Sequence, residues 1–205
     1  MISIVDYGLG NIKAFENLLY RLGFQTKRAQ TANDLKGCEK LILPGVGAFD
    51  EAMELLEASG MRSSLDDLVL NQKIPIIGIC VGMQIMATSS DEGKRKGLDW
   101  IPGHVRSFRS VEQLALLPVP HMGWNSVTFN SVANSICQGL NSVPRFYFLH
   151  SYFYETKERE NALATSFYGF DFDVVVTNNN IFGVQFHPEK SHGDGAKILE
   201  NFAKQ

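Results

Sequence analysis

Ile74-Pro75-Ile76-Ile77-Gly78-Ile79-Cys80-Val81-Gly82-Met83-Gln84-Ile85-Met86-Ala87 is the stretch on which the reading of this chain turns. Its first four residues form an apolar run that reads as a buried strand, and Met83 to Ala87 reads as a helix. Between them Cys80 stands at the apex of a Gly-x-Cys-x-Gly turn. A nucleophile on a sharp strand-to-helix turn is held exposed above a sheet. Glycine at 78 and 82 has a steric reason: strand and helix pass so closely that a Cβ at either place would clash. The helix start adds unpaired N–H groups and the positive end of a dipole beside the sulfur. That favours thiolate, the attacking form, over thiol. The pentad alone is equally compatible with a structural cysteine buried in a glycine-rich turn.

Upstream, strand and helix alternate. Ile2 to Val5 is a short apolar run. Ile12, Phe15, Leu18, Leu19 and Leu22 recur at helical spacing, and Gly23 is a stop signal. Phe24 to Arg28 reads as a second strand and Lys40 to Leu43 as a third, broken by Pro44-Gly45-Val46-Gly47. Asp50 is placed to cap a helix through Glu57. A further helix is expected from Ser63 to Leu70. Such alternation predicts a parallel sheet covered on both faces. The second half changes character. Arg145 to Tyr154, Ala162 to Tyr168, Phe172 to Thr177 and Ile181 to Phe186 read as strands, and Asn178-Asn179-Asn180 suits a tight hairpin because asparagine tolerates positive φ. Gly195 to Ala203 is a closing helix with Ile198, Leu199 and Phe202 on one stripe. Residues 109–119 carry no clear pattern.

The chain has 205 residues, a length that suits one domain over 1–205. Its formal net charge of −3 gives no basis for capturing nucleic acid or an anionic membrane. The three cysteines, Cys38, Cys80 and Cys137, are scattered rather than paired, which fits a reducing cytoplasm. The N-terminus lacks a basic n-region, and no apolar run approaches the roughly 18 residues of a membrane span.

A cysteine nucleophile needs a base, and the base needs an orienting group. Gln185-Phe186-His187-Pro188-Glu189 supplies both. In extended chain, residues two apart share a face, and Pro188 favours an extended residue before it. His187 as base and Glu189 as its orienter should therefore project together near the elbow. A tetrahedral intermediate needs N–H donors. The backbone of Val81, just after the nucleophile, is one candidate, and the Gly45-Val46-Gly47 loop supplies another. A phosphate-binding reading of that loop lacks the following Lys-Ser/Thr. A metal site from Cys80, His187 and Glu189 lacks a fourth ligand and the ligand spacing. Gln84, four residues after Cys80, shares its helix face and reaches the same pocket.

The order Gly-x-Cys-x-Gly, then a distant His-Pro-Glu, resembles the class I glutamine amidotransferases. The finer likeness is to the branch that supplies ammonia for imidazole glycerol phosphate synthesis. It is carried by Asp6-Tyr7-Gly8-Leu9-Gly10-Asn11, Leu43-Pro44-Gly45-Val46-Gly47-Ala48-Phe49, the elbow, Gly97-Leu98, Ile101-Pro102-Gly103, Pro120-His121-Met122-Gly123-Trp124-Asn125, His150-Ser151-Tyr152 and Gly183 to Ser191. The resemblance implies a flavodoxin-like three-layer α/β fold with a mixed, mostly parallel sheet, helices on both faces and antiparallel strands in the second half. It implies that Cys80 attacks the side-chain amide of glutamine, that ammonia leaves a glutamyl thioester, and that water regenerates the thiol, with no cofactor. By the same resemblance Gly47, Gln84, His150, Ser151 and Tyr152 hold the substrate, and Pro120, His121, Met122, Gly123, Trp124 and Asn125 face a (β/α)8-barrel cyclase in a heterodimer. That cyclase turns a ribulosyl aminoimidazole-carboxamide nucleotide and ammonia into imidazole glycerol phosphate and an aminoimidazole carboxamide ribonucleotide, a step of histidine biosynthesis. Asp91 to Trp100 resembles instead paralogues that supply ammonia to amidating enzymes of surface-sugar synthesis. A cysteine peptidase or esterase on a related fold and a non-catalytic scaffold subunit are the other readings; the intact Cys80, His187 and Glu189 speak against the scaffold.

Overall fold

The computed structural model describes residues 1–112, 117–130 and 134–205. Its strands are β1 (Ile2–Val5), β2 (Thr26–Ala29), β3 (Lys40–Gly45), β4 (Ile76–Cys80), β5 (Ser89–Ser90), β6 (Gly103–Ser107), β7 (His121–Ser126), β8 (Thr128–Phe129), β9 (Arg145–His150), β10 (Tyr152–Thr156), β11 (Ala162–Phe167), β12 (Asp171–Asn178) and β13 (Ile181–Val184). The helices are α1 (Ile12–Arg21), α2 (Phe49–Ala58), α3 (Arg62–Asp66), α4 (Val81–Gln84) and α5 (His192–Lys204).

The main sheet runs β2-β1-β3-β4-β13-β12-β10-β6-β5. Its first five strands are parallel, in the doubly wound order of flavodoxin-like folds. From β13 onward the β13–β12, β12–β10 and β10–β6 pairings are antiparallel, and β5 joins β6 in parallel. β1 and β4 are buried along their whole length, as strands covered on both faces must be. α1 packs beside α5, and α2 beside α4. A separate two-stranded sheet pairs β7 with β9. The mixed, mostly parallel architecture expected from the sequence is therefore present.

The apolar stripe of α1 is buried at Ile12, Phe15, Leu18 and Leu19, and the Asn11 side chain accepts the Ala14 N–H at 3.3 Å. The hairpin between β12 and β13 turns on Asn179 at φ 56°. Other elements depart from their sequence reading for physical reasons. Pro44 does not break its strand: β3 runs on to Gly45, beyond its last pair with β1, Ile4↔Ile42, where a missing N–H is tolerated. The expected Ser63–Leu70 helix is α3 followed by a single π turn over Asp67–Asn71. The first strand after α1 starts at Thr26 rather than Phe24. The elbow helix stops at Gln84 instead of reaching Ala87. The turn tightens instead, Met86 N–H donating to Met83 O and Ala87 N–H to Gln84 O, and residues 97–101 take the carbonyls that follow: Leu98 N–H donates to Ile85 O, Asp99 N–H to Ala87 O, and Trp100 N–H to Met86 O.

Asp50 does not cap α2. It lies inside the first turn, and its carboxylate accepts the N–H groups of Lys94 and Arg95, which hold its pKa below the ordinary value. The N–H of Phe49 is taken by Glu92 Oε2 at 2.8 Å, a cap from 43 residues away. Of the unpatterned stretch 109–119, residues 113–116 lie outside the described residues.

Candidate active site

Cys80 ends β4 with φ 54° and ψ −112°, a conformation rare for any residue but glycine. The neighbouring glycines are what allow it. A Cβ on Gly82 would lie 1.9 Å from the Leu43 carbonyl oxygen, and one on Gly78 would lie 2.6 Å from that of Gly82. The elbow is locked against β3, whose last residue, Gly45, pairs with Cys80.

β13 lies beside β4 in the sheet and delivers the second group. The strand ends at Val184, two residues earlier than the sequence suggests, and Pro188–Lys190 forms a 3₁₀ turn. His187 and Glu189 therefore meet through a turn and not along a strand face. His187 keeps the extended backbone that Pro188 imposes, φ −97° and ψ 95°. Its Nδ1 is 2.9 Å from Glu189 Oε1, and both side chains are buried. Burial alone would push the imidazole pKa down. Hydrogen bonds to Cys80 and Glu189, and the negative charge of each, outweigh that and raise it to about 9. The ring's proton is therefore held more tightly than in a free imidazole. The second oxygen of Glu189 has no hydrogen-bond partner among the described residues. Ser191 fixes the segment: its hydroxyl donates to His187 O at 2.6 Å and accepts the Tyr147 N–H at 2.9 Å.

A cavity of about 300 Å³ opens over the sulfur, lined among others by Val46, Gly47, Cys80, Val81, Gln84, Leu149 and His187. His150, Ser151 and Tyr152 form its far wall. Gly45 is not among the lining residues; it sits beneath, against the Gly82 backbone. Val81 opens α4, so its N–H has no intrahelical acceptor. Gly47 has φ +89°, a left-handed conformation that leaves the loop free of a Cβ at the cavity edge.

Three contributors escaped the sequence reading. Glu92 lines the cavity as well as capping α2, and burial raises its pKa; locally it is indistinguishable from any loop glutamate. Tyr7 is buried, and its hydroxyl donates to Pro44 O at 2.9 Å, anchoring the loop beside Cys80. Lys190, one residue past Glu189, also reaches the cavity wall.

Residues 120–125 divide. Met122 and Trp124 face solvent on β7, and Trp124 stacks on His192 with ring centroids 5.1 Å apart and planes 4° apart. Pro120 lines the cavity, Gly123 has φ +126°, and His121 is buried. His121 Nδ1 is 2.9 Å from His150 Nε2, while His150 Nδ1 is 2.8 Å from the Tyr152 carbonyl. A carbonyl only accepts, so His150 carries its proton on Nδ1, and its Nε2 accepts a hydrogen bond from His121 Nδ1–H. Asn125 Nδ2, 3.2 Å from His121 Nε2, completes the chain as donor. Burial keeps both rings neutral, lowering His121 to about 4 and His150 to about 3.

A family described as "Glutamine amidotransferase class-I" matches residues 3–205. The chain belongs to the class I glutamine amidotransferases. Among curated relatives, the imidazole glycerol phosphate synthase subunit HisH of Bdellovibrio bacteriovorus is 53% identical over 204 residues, covering all of both chains. HisH of Leptospira interrogans is 50% identical, covering 99% of each. Solved structures share the amidotransferase fold at low identity. One described as a glutamine amidotransferase has TM-score 0.76 at 18% identity, covering 99% of this chain and 97% of that one. PurLQS from Thermotoga maritima has TM-score 0.74 at 16%, with the same coverage. No helix among the described residues is long and apolar enough to cross a membrane.

Proposed function

We propose that this amidotransferase hydrolyses glutamine as one glutaminase domain and passes the ammonia to a (β/α)8-barrel cyclase in the cytoplasm, for the synthesis of imidazole glycerol phosphate. The observation that carries the reading is the line Cys80–His187–Glu189 beneath a cavity of substrate size, in a chain alike over its whole length to HisH relatives. The cavity lies at the lower end of ordinary ligand pockets, about 300–1,000 Å³.

The chemistry follows from the charges. The Cys80 thiolate attacks the side-chain carbonyl of glutamine. The oxyanion faces the N–H of Val81 and the Val46-Gly47 peptide. As the C–N bond breaks, the His187 imidazolium gives its proton to the departing nitrogen, and ammonia leaves a glutamyl thioester. Water then attacks that thioester, His187 takes a proton from it, and glutamate departs as the thiolate re-forms. Glu189 keeps the imidazole in one orientation and stabilises its charge throughout. Glu92, a carboxylate on the cavity wall, is the complement of the substrate's ammonium group. Leu149 lines the cavity and pairs across β7 and β9 with Met122, which with Trp124 two residues on continues an exposed apolar margin away from it. A cyclase docked on this margin would receive ammonia before solvent protonates it.

The test is reconstitution with the cyclase and its nucleotide. Cys80→Ala should abolish glutamine-dependent synthesis and leave synthesis from ammonium salts intact. Glutaminase turnover should be low for the isolated chain and rise when the nucleotide-loaded cyclase is added. Full turnover without the partner would overturn the coupling, and glutamine use by the alanine variant would overturn the mechanism.

A further inference from the structure

Gln185 is fully buried, just beyond the end of β13, with its N–H donated to Val174 O at 2.9 Å. Its side-chain amide bridges two groups of the site. Nε2 is 3.7 Å from Cys80 Sγ, and Oε1 is 3.0 Å from Gln84 Nε2. Gln84 Nε2 is also 3.2 Å from the Tyr152 carbonyl.

This bridge can be wired in one way only. The Tyr152 carbonyl accepts and never donates, so the end of Gln84 that faces it must be the NH₂. Both hydrogens of that NH₂ are then spent, one on Tyr152 and one on Gln185. Gln185 must therefore present its oxygen to Gln84, which leaves its own NH₂ facing the sulfur. A backbone carbonyl on β10 thus dictates, through two amides, that an N–H points at Cys80. The opposite influence on the sulfur is the Leu149 carbonyl, an acceptor 3.9 Å from Sγ that suits only the thiol.

We propose that Gln185 belongs to the catalytic machinery: its Nε2–H donates to the Cys80 sulfur, stabilises the thiolate against the pull of the Leu149 carbonyl, and ties that stabilisation to the Gln84 wall of the substrate cavity. The same wiring leaves the Gln84 carbonyl oxygen as the atom available to the cavity, an acceptor for an N–H of the substrate. The proposal rests on Cys80 being the nucleophile.

The experiment is alkylation of the full chain by iodoacetamide across pH, read at Cys80 by peptide mass so that Cys38 and Cys137 do not contribute. Gln185→Met keeps length and volume but removes the donor. Gln185→Glu keeps shape and, once ionised, places a negative charge beside the sulfur. At mildly acidic pH, Gln185→Met should slow alkylation about tenfold while the alkaline plateau stays unchanged, the order expected for losing one hydrogen bond to a charged atom. Gln185→Glu should slow it further. A packing role alone would lower Tm in both variants and leave the alkylation profile where it was; that result overturns the proposal. If the methionine variant does not fold, the near-isosteric glutamate variant decides by the same readout. Failure of the underlying reading looks different: Cys80 of the wild-type chain would then be alkylated only as an ordinary thiol ionises, at about pH 8.5, with no reactivity held over to mildly acidic pH for the variants to lose.

Discussion

At the scale of single residues, the site is a set of charges held apart from water. Glu189 gives one oxygen to His187, and the other has no partner among the described residues, so the carboxylate acts almost wholly on the imidazole. Glu189→Gln should keep the shape and lose the charge, and kcat for glutamine hydrolysis should fall by about 10²–10⁴-fold, as when a general acid–base loses its support. His187, raised from 6.5 to about 9, also fixes the alkaline behaviour. Glutaminase kcat/KM should decline as pH rises through about 9, where the proton for the leaving nitrogen is lost. The linkage has the same sense: the group's contribution to stability is complete below pH 6.5 and disappears as pH climbs from there to about 9. Hydrogen bonding alone does not make such a site. Ser89, His104 and Asp91 form a similar line at 2.8 and 2.7 Å, yet they lie on the surface, and Asp91 spends its second oxygen on the Ser107 N–H.

At the scale of elements, the two-stranded sheet of β7 and β9 joins the outward face to the substrate wall. Its register sets His121 opposite His150, and both rings are neutral within the fold. An unfolded chain protonates them near pH 6.5, so the stability they confer is present above that value and drains as pH falls toward about 4 for His121 and about 3 for His150. Urea unfolding followed against pH should show this slope. In His121→Phe the acid slope should be shallower, while stability at neutral pH falls by about 1–3 kcal/mol because His150 Nε2 loses its donor. The same scale divides what was legible in the sequence from what was not. The amphipathic stripe of α1, the strand before Cys80 and the turn at Asn179 were readable because each depends on its neighbours in the chain. The early stop of α4 and the cap of α2 were not. Residues 97–101 decide the first and Glu92 the second, and neither leaves a mark on the segment it controls. The His187–Glu189 pair was found through an assumption of extended chain that the 3₁₀ turn replaces. The right residues emerged because a two-residue spacing also meets across a turn. Gln185 carries no signal of its own in the sequence, since its importance lies in two amides that only the fold brings together.

At the scale of the whole molecule, the parallel half of the main sheet carries Cys80, while the separate β7–β9 sheet carries the proposed docking margin and, with the start of β10, the far wall of the cavity. Trp124 is the large aromatic of that margin, 40% exposed and held flat against His192. Aromatic anchors of this kind dominate binding energy at interfaces. Trp124→Ala should weaken the complex with the cyclase by at least about tenfold in Kd, measured by titration of the two purified subunits. The order of the strands has a temporal consequence. β13 lies between β4 and β12, yet Gln185 follows Cys80 by 105 residues. On the ribosome, the edge of β4 must wait for nearly the entire remaining polypeptide before its neighbour arrives. Until then the sulfur has neither proton donor nor pocket, so a half-made chain is chemically idle, and its bare strand edge is the place where premature release would invite aggregation.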